Sequence, residues 1–316
     1  MIVVTGGAGF VGSNLVKGLN EKGFDDILIV DSMSKPEKWK NLLGLEFGDY
    51  MEKDEFIERL ERGEFGKSIE AIFHQGACTD TTCYDVKYLL ENNYRYSVRL
   101  LNYAIDRRIP FIYASSAAVY GDGRKGFRES PECENPLNPY GFSKYLFDRY
   151  VRKVFQKGVF SQVTGLRYFN VYGPKESHKG KMSSVIYQFY RQLKESGVIR
   201  LFGESDGYEP GEQRRDFIYV KDVVKVNLFL FEREVGGIFN CGTGVSRSFN
   251  DVVKILIELN GSGRFEYIPF PKELKGKYQS FTEADLTLLR EEAGYSEEFT
   301  TLESGIREYF DFLESL

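Results

Sequence analysis

Tyr140 and Lys144 have residue types and a spacing that indicate proton-transfer chemistry. A phenol and an ammonium four residues apart lie on one face of a helix, here predicted over residues 140–155. A neutral phenol is a poor base because its ordinary pKa is about 10, and a neighbouring cation favours the phenolate. Ser116 follows a predicted strand at residues 110–115 and can hold the hydroxyl or ketone oxygen of a substrate. We therefore predict an acid/base site in which Lys144 lowers the pKa of Tyr140.

A glycine-rich turn stands near the N-terminus, where residues 6–12 read Gly-Gly-Ala-Gly-Phe-Val-Gly between a predicted strand and a predicted helix. Such a turn brings backbone N–H groups at the start of the helix close to a pyrophosphate. The missing side chain of Gly9 permits that approach, and Gly12 lets helix and strand pack closely. The pattern predicts a dinucleotide-binding site.

Asp31 follows the second predicted strand, residues 27–30, where a carboxylate can accept hydrogen bonds from an adenosine ribose. Because a 2′-phosphate would be repelled there, Asp31 by itself favours NAD. Lys35 and Lys38 follow closely, however, and can neutralise a phosphate, with Ser32 as a neutral donor. The residues alone leave NAD and NADP open.

Strand and helix patterns alternate along the first part of the chain, with helices predicted over residues 84–107 and 140–155. Apolar runs separated by helical periods predict strands at residues 2–5, 27–30, 71–74, 110–115 and 162–168. This order predicts an α/β fold with a doubly wound, Rossmann-type parallel sheet.

The alternation weakens past Asn170, and a βα-like pattern returns at residues 237–258. We therefore expect a smaller C-terminal substrate domain that is interleaved with the sheet. The predicted division is a cofactor-binding domain over residues 1–170, with a returning part around residues 215–245, and a mainly substrate-binding part over residues 171–316.

The bulk composition narrows the function classes. Acidic residues outnumber basic ones, 47 against 42, so nucleic-acid binding is not expected. No apolar stretch approaches the ~20 residues of a membrane span, and the N-terminus carries no signal-peptide pattern. The cysteines match neither a disulfide framework nor a metal site, so we expect reduced thiols, no metal, no membrane partner and a cytoplasmic protein. They are Cys78, Cys83, Cys133 and Cys241.

Four segments together resemble the extended short-chain dehydrogenase/reductase family. They are TGGAGFVGS from residue 5, YASSAAVYG from residue 113, NPYGFSK from residue 138 and RYFNVYGP from residue 167. The resemblance implies a nicotinamide cofactor that removes a hydride from a carbon of a nucleotide sugar and later returns it. It also implies Ser116, Tyr140 and Lys144 as the catalytic triad.

The dehydratase branch of this family carries Thr-Asp-Glu where this chain reads Ser116-Ala117-Ala118. Because the two carboxyls that serve elimination of water are absent, dehydration is not expected. Redox-neutral epimerisation fits better, and a net reductase stays open.

One branch of the family, which inverts carbon 6 of an ADP-linked heptose for the lipopolysaccharide core, resembles this chain more specifically. The resemblance lies at residues 74–79, 92–94, 173–180, 215–220 and 274–279. It implies an ADP-heptose substrate, NADP rather than NAD, and a homo-oligomer whose expected form is a homopentamer. A 4-epimerase or a reductase acting on another nucleotide sugar is the alternative.

The same resemblance implies the residues of both binding sites. The cofactor-binding residues would be Gly6, Gly9, Phe10, Val11, Gly12, Asp31, Ser32, Lys38, Lys53, Gln75, Gly76, Ala77, Cys78, Thr79, Asn92, Lys144, Val171 and Lys179. The substrate-binding residues would be Asn170, Lys181, Gln188, Phe202, Gly203, Glu204, Ser205, Arg215 and Tyr278.

Lys179 is implied as a second catalytic acid/base residue. Inverting a stereocentre through a ketone requires hydride return to the opposite face, and the ketone oxygen then points away from Tyr140. The alternatives for Lys179 are a solvated loop lysine or a diphosphate contact. Arg215 has a rationale of its own, because a guanidinium fork suits a diphosphate, against the alternative of an ion pair with Asp216 or Glu212.

Two substrate positions depart from the family pattern. Lys181 stands where a small Ser is common and Gln188 where His is usual, and the loop at residues 207–213 is longer than expected. Of the histidines, His74 ends a predicted strand and is expected to be packed and hydrogen-bonded, while His178 is expected to shape the loop beside Lys179.

Overall fold

The computed structural model describes residues 1–158, 161–274, 276 and 278–316. The strands within these ranges are β1 Ile2–Thr5, β2 Ile27–Asp31, β3 Asp49–Glu52, β4 Ala71–His74, β5 Phe111–Ser116, β6 Val163–Tyr168, β7 Asn170–Tyr172, β8 Val198–Phe202, β9 Arg214–Tyr219, β10 Gly237–Cys241, β11 Ser246–Ser248 and β12 Arg264–Ile268.

The α-helices are α1 Phe10–Glu21, α2 Lys53–Glu61, α3 Val86–Leu89, α4 Tyr96–Arg107, α5 Pro139–Gln156, α6 Val185–Ser196, α7 Val220–Glu232, α8 Phe249–Asn260 and α9 Leu302–Glu314. Shorter 3₁₀ turns lie at Lys38–Leu42, Ala117–Tyr120, Pro131–Cys133, Ser177–Met182 and Lys272–Leu274, and π turns at Leu90–Arg95 and Leu288–Glu292. None of the helices in the described ranges has the length and apolar character of a bilayer-spanning segment.

A seven-stranded parallel sheet forms the centre of the described chain, in the order β10-β6-β5-β4-β1-β2-β3. Every residue of β1, β2 and β4 is buried, and β1 and β2 are rich in Val and Ile. Strands that are apolar on both faces belong in parallel sheets with helices on both sides. The predicted doubly wound, Rossmann-type sheet is therefore confirmed.

Alternate residues of the strands pack into two separate cores. Val4 and Phe73 contact a core that includes α1 and α7, whereas Val3 and Ile72 contact a core that includes α2, α4 and α5. Gly18 lets α1 approach α7 closely, since a Cβ there would lie 2.4 Å from a methyl carbon of Val224.

The strand register brings the carboxyl ends of the strands to one edge of the sheet. Thr5 pairs with Val30 in β2 and with His74 in β4, and Ser116 pairs with Tyr168 in β6. Turns that leave the strands at this edge, including the glycine turn after β1, therefore lie side by side.

Two predicted helices differ in how well they match the structure. The helix predicted over residues 84–107 begins only at Val86, where the carboxylate of Asp85 accepts the N–H of Tyr88 at 2.9 Å, and it contains the π turn. α5 matches the prediction, because Asn138 caps its first turn by accepting the N–H of Gly141 at 2.8 Å.

The C-terminal part crosses back into the central sheet. β10 pairs in parallel with β6 and extends the sheet, which confirms the interleaving that the pattern at residues 237–258 predicted. β9 instead joins β7 and β11 in a three-stranded sheet, and β8 pairs with β12. The expected domain boundaries stay a prediction.

A buried ionic network holds α5 against β5 and β6. The carboxylate of Asp148 accepts hydrogen bonds from Tyr113 at 3.0 Å, from Ser115 at 2.9 Å and from Nε of Arg167 at 2.9 Å. Asp148 and Arg167 are both fully buried, and Arg167 also pairs with the buried carboxylate of Glu134, so these charges compensate one another within the network. Because Asp148 follows Lys144 by one helical turn, the network fixes the face of α5 that carries the predicted catalytic pair.

His74 is packed and hydrogen-bonded, as predicted. Its Nδ1 lies 2.6 Å from Oγ1 of Thr5 and its Nε2 lies 2.7 Å from Oγ of Ser97. Burial lowers the pKa of His74 to about 3, so the ring is neutral at ordinary pH.

Candidate active site

The glycine turn forms a close-packed cradle at the N-terminus of α1. Gly6 has a positive φ of 67°, and its N–H donates to the carbonyl of Val30 at 2.7 Å. Gly9 caps α1, and a Cβ placed on Gly12 would lie only 2.1 Å from the carbonyl oxygen of Gly6. The first N–H groups of α1 have no partner within the helix, so Phe10 and Val11 present donors at a positive helix end. This arrangement fits the pyrophosphate of a dinucleotide.

Asp31 is already engaged by the protein, contrary to the simple expectation of a free ribose acceptor. Its carboxylate accepts the N–H of Ala8 at 2.9 Å and the N–H of Ser32 at 2.6 Å, and it forms an ion pair with Lys38. Lys38 also donates to the carbonyl of Ser32 at 3.0 Å. The negative charge at the end of β2 is therefore compensated by an ammonium.

Lys53 stands at the start of α2, directly after β3. Its ammonium pairs with Asp54 at 2.7 Å and lies 5.7 Å from the ring centre of Tyr96. Because Glu52 at the end of β3 pairs in register with Asp31, Lys53 follows that strand at the carboxyl edge of the sheet.

The predicted cofactor segment at residues 75–79 leaves β4 beside the glycine turn. The N–H of Gly76 donates to Thr5 at 3.3 Å, and the side-chain carbonyl of Gln75 accepts from Tyr168 at 2.8 Å. Asn93 clamps the segment by bonding both the N–H and the C=O of Cys78, at 2.8 and 2.9 Å. The sequence singled out Asn92 as the cofactor ligand and missed this role of Asn93.

Ser116 and Tyr140 come together, as predicted. Ser116 ends β5, Tyr140 stands in the first turn of α5, and their side chains are hydrogen-bonded. The expected lowering of the Tyr140 pKa is wrong for this structure. Burial raises the pKa of Tyr140, and the hydrogen bond with Ser116 only partly opposes that effect.

The contacts of Lys144 account for this difference between the expected and the observed direction of the Tyr140 pKa shift. Its ammonium donates to the carbonyl of Ala114 at 2.7 Å, which directs its charge toward the backbone of β5. Burial lowers the pKa of Lys144 to about 8, and the charge of Asp148 partly opposes this effect. Lys144 is thus a buried cation beside the first turn of α5 whose proton is held less tightly than usual.

Lys179 lies in the 3₁₀ turn Ser177–Met182, next to the glycine turn. Its ammonium is 5.3 Å from the ring centre of Phe10, the first residue of α1. Burial lowers the pKa of Lys179, and the neighbouring charge of Glu176 opposes the effect. A lysine of this kind is not a solvated loop charge, and it fits a role in proton transfer.

Asn41 joins the Lys179 turn to the glycine turn and was not singled out in the sequence. Its side-chain amide donates to the carbonyls of Ala8 and Lys175 at 3.0 and 3.1 Å, and lies 3.1 Å from Nδ1 of His178. Burial lowers the pKa of His178 to about 4. The neutral His178 ring therefore shapes the loop, as predicted.

Arg215 and Tyr278 are adjacent, as expected for neighbouring substrate contacts. The guanidinium carbon lies 4.6 Å from the ring centre of Tyr278, and Nη1 donates to the carbonyl of Arg214 at 3.0 Å. Within the described ranges Arg215 forms no ion pair, because the carboxylate of Asp216 instead accepts the N–H groups of residues 243, 244 and 284. The guanidinium remains available for an anion.

Phe202 belongs to an aromatic cluster beside Arg215. Its ring centre lies 5.4 Å from that of Phe270 and 6.4 Å from that of Tyr278. Next to it, the N–H of Gly203 donates to a backbone carbonyl at 2.7 Å, and Ser205 accepts from Gln213 at 2.8 Å. Glu204 is exposed.

The remaining predicted substrate residues make contacts within the protein. Asn170 accepts from Thr282 at 3.2 Å, and Lys181 donates to Thr82 at 3.3 Å. Gln188 donates to the carbonyls of Lys181 and Ser183, which gives it a role in shaping the loop. Lys275 and Lys277, part of the sequence segment at residues 274–279, lie outside the described residues.

The described residues contain no cluster of three or more His, Cys, Asp and Glu side chains that would hold a metal ion. The four cysteines are free thiols.

The glycine cradle follows β1, where the strand order of the central sheet reverses between β4 and β2. Together with Ser116, Tyr140 and Lys144 it defines a nicotinamide-dependent sugar-nucleotide enzyme. The chain belongs to the NAD dependent epimerase/dehydratase family, whose profile matches residues 2–242.

Among its relatives is the ADP-L-glycero-D-manno-heptose-6-epimerase of Alkalilimnicola ehrlichii, which is 54% identical over 312 residues, or 98% of this chain and 97% of the relative. A similar solved structure is the Helicobacter pylori ADP-L-glycero-D-manno-heptose-6-epimerase, with a TM-score of 0.86 and 32% identity over 100% of this chain and 96% of the other. The Thermotoga maritima UDP-glucose 4-epimerase with UDP-glucose has a TM-score of 0.83 and 31% identity over 99% and 98% of the two chains.

Replacing Gly12 by Ala tests the cofactor cradle. The added methyl would lie 2.1 Å from the carbonyl of Gly6, so the turn must shift. Because overpacking of this kind costs about 1–3 kcal/mol, we expect nicotinamide dinucleotide affinity to fall by about 10-fold or more in a fluorescence titration. Gly48→Ala is the control, since a Cβ at Gly48 meets nothing closer than 3.6 Å. Unchanged affinity in Gly12→Ala would show that the cradle does not bind the dinucleotide.

Proposed function

We propose that the protein inverts carbon 6 of the heptose in ADP-D-glycero-β-D-manno-heptose and gives ADP-L-glycero-β-D-manno-heptose, a precursor of the lipopolysaccharide core. The single observation that carries the proposal is the full-length similarity, at 54% identity, to an ADP-L-glycero-D-manno-heptose-6-epimerase. The site supports it, because two separate elements supply acid/base groups: α5 carries the buried Tyr140, and the 3₁₀ turn Ser177–Met182 carries the half-buried Lys179 beside Phe10 of the cradle.

A bound nicotinamide cofactor would supply a hydride acceptor and donor, so that carbon 6 is oxidised to a ketone and then reduced. The protein must hold the sugar, move the hydroxyl proton and keep water away. Ser116 fixes the reacting oxygen, and the phenol of Tyr140 exchanges the proton at that oxygen. The nearby ammonium of Lys144 favours the phenolate when the substrate aligns these groups.

Inversion requires a second proton-transfer position. The hydride returns to the face opposite the one it left, so the sugar must present its other face and its oxygen points elsewhere. Tyr140 enters from α5, whereas Lys179 enters from the loop after β7 and rests on Phe10. Burial lowers the pKa of Lys179, so its proton is released more readily than that of a solvated lysine. We therefore assign Tyr140 and Lys179 as the alternating acid and base.

The nucleotide end of the substrate has its own set of groups. Arg215, which forms no ion pair within the described residues, provides a guanidinium that suits the diphosphate. Phe202 and Tyr278 provide aromatic faces for the adenine.

NADP is the proposed cofactor. Asp31 alone would repel a 2′-phosphate, but Lys38 pairs with it and also bonds the backbone of Ser32. An ammonium at this position can turn to the phosphate while the N–H groups of Ala8 and Ser32 continue to hold the carboxylate. The free 2′-hydroxyl of NAD would leave that ion pair unchanged.

An NMR assay of carbon 6 tests the function. Purified protein with catalytic NADP should convert either ADP-heptose isomer into a mixture of both, without net oxidation or reduction. A panel with UDP-glucose and UDP-galactose is the comparison. Conversion within that panel, with no change at carbon 6 of the heptose, would establish the 4-epimerase alternative instead.

Substitutions at the two acid/base residues test the mechanism. We expect Tyr140→Phe and Lys179→Met each to lower turnover by about 10²- to 10⁴-fold, which is the usual contribution of a general acid or base. Thermal unfolding and cofactor binding should change little. Tyr150→Phe and Lys153→Met, farther along α5, serve as matched controls. Full turnover in Lys179→Met would limit the chemistry to one acid/base residue.

The cofactor preference is tested by Lys38→Ala. Loss of a charge-assisted hydrogen bond costs about 1.5–3 kcal/mol, so we expect NADP affinity to fall roughly 10- to 100-fold in calorimetry. NAD affinity should stay constant or rise, because Asp31 is then free for the ribose hydroxyls. An equal loss for both cofactors would contradict the assignment of Lys38 to the 2′-phosphate.

A further inference from the structure

The turn that carries Lys179 is built around a fully buried carboxylate. Glu176 is 0% exposed, although it stands in a loop between β7 and α6. Its Oε1 accepts the hydroxyl of Ser184 at 2.7 Å and the N–H of Gly173 at 3.3 Å, and its Oε2 accepts the N–H of Ser184. The carboxylate thus joins the end of β7 to the residue that caps α6.

A third element closes over the same carboxylate. Tyr309 on α9 hydrogen-bonds Glu176, and that contact raises the pKa of the phenol after the larger effect of burial. The main-chain carbonyl of Glu176 accepts the N–H of Lys179 at 2.9 Å, so one residue links the catalytic lysine to β7, α6 and α9.

The charges of Glu176 and Lys179 are coupled. Burial raises the pKa of Glu176, and Lys179 is the main charge that opposes it. Burial lowers the pKa of Lys179, and Glu176 is the main charge that opposes that effect. Lys35 also faces Lys179 and lowers its pKa, whereas His178 is neutral at ordinary pH because burial lowers its pKa to about 4.

The other groups that lower the pKa of Glu176 are hydrogen-bond donors, namely the hydroxyl and N–H of Ser184 and the N–H of Gly173. On α6, burial and the charge of Glu176 both raise the pKa of the Tyr187 phenol, so Tyr187 is neutral near pH 7. The ammonium of Lys179 also lies 5.3 Å from the ring centre of Phe10. A lysine in this surrounding would lose its proton far more readily without the carboxylate.

We propose that Glu176 is a positioning residue for the reaction: it holds the Lys179 turn in place and supplies the negative charge that keeps the Lys179 ammonium available as a proton donor. The inference rests on the proposed function in one respect, the acid/base role of Lys179. The contacts of Glu176 do not depend on that role.

The test first measures protonation of Lys179 without substrate. The full-length protein is labelled with trace acetic anhydride across a pH series, and the Lys179 peptide is quantified by mass spectrometry. In Glu176→Gln, which keeps the shape and removes the charge, the pKa of Lys179 should fall below that of the wild type. In Ser184→Ala, which removes the hydroxyl bond to Glu176 and the cap of α6 but keeps the charge, it should stay unchanged. An unchanged pKa in Glu176→Gln overturns the proposal.

The second measurement is turnover against pH. Glu176→Gln should lower kcat by about 10- to 100-fold near neutral pH, with a smaller change in KM, because the acid/base group is misplaced or unprotonated. One limb of the wild-type pH–rate profile should be absent in Lys179→Met. In Glu176→Gln that limb should move to lower pH, and in Glu176→Asp it should return to its wild-type position. A loss of kcat with that limb unmoved would make Glu176 a structural residue only and overturn the proposal.

A reciprocal experiment covers the case in which Glu176→Gln does not fold. In Lys179→Met, carbon-13 NMR of labelled glutamate should place the pKa of Glu176 above its wild-type value, since its opposing charge is gone. No change would overturn the coupling. Labelling and NMR need no substrate, so this coupling could be measured even if the wild type failed in the epimerase assay. The proposed function and the proposed coupling can therefore fail independently.

Discussion

The register of the central parallel sheet is the constraint on which the site depends. Parallel strands end at a common edge, so the glycine turn after β1, Asp31 after β2 and the segment after β4 meet there although the sequence separates them widely. β5 delivers Ser116 to the same edge. A slip of one residue in any of these strands would turn its buried side chains to the other face and displace the following turn.

Buried charge is the second organising feature, and it occurs on both sides of the site. Asp148 is balanced by Arg167 and holds α5, while Glu176 is balanced by Lys179 and holds the opposite turn. Buried ionic groups of this kind contribute little net stability, but removing one partner is costly. They are therefore suited to fixing the position of catalytic groups, since alternative arrangements leave a charge uncompensated.

The sequence predicted those parts of the fold that have a strong local signal. β1, β2 and β4 are continuous apolar runs, and α5 has an amphipathic period with an Asn138 cap. β3 gave no such signal, because Asp49–Glu52 is a polar strand at the sheet edge, where only one neighbour and one face require apolar side chains. The returning part expected around residues 215–245 includes most of β9, yet β9 pairs with β7 and β11 through contacts distant in sequence.

The sequence by itself predicted the residues that we propose carry the chemistry: the glycines of the cradle and Tyr140 with Lys144 follow from residue type and spacing, and Lys179 follows from the family resemblance. Only the tertiary structure decided how these groups are charged. Burial raises the pKa of Tyr140 where its spacing to Lys144 suggested the opposite. The carbonyl of Ala114 accepts a hydrogen bond from Lys144, and Lys38 compensates Asp31. The physical reason is that the pKa of a buried group depends on burial and on neighbours brought in from other elements, which linear spacing does not encode.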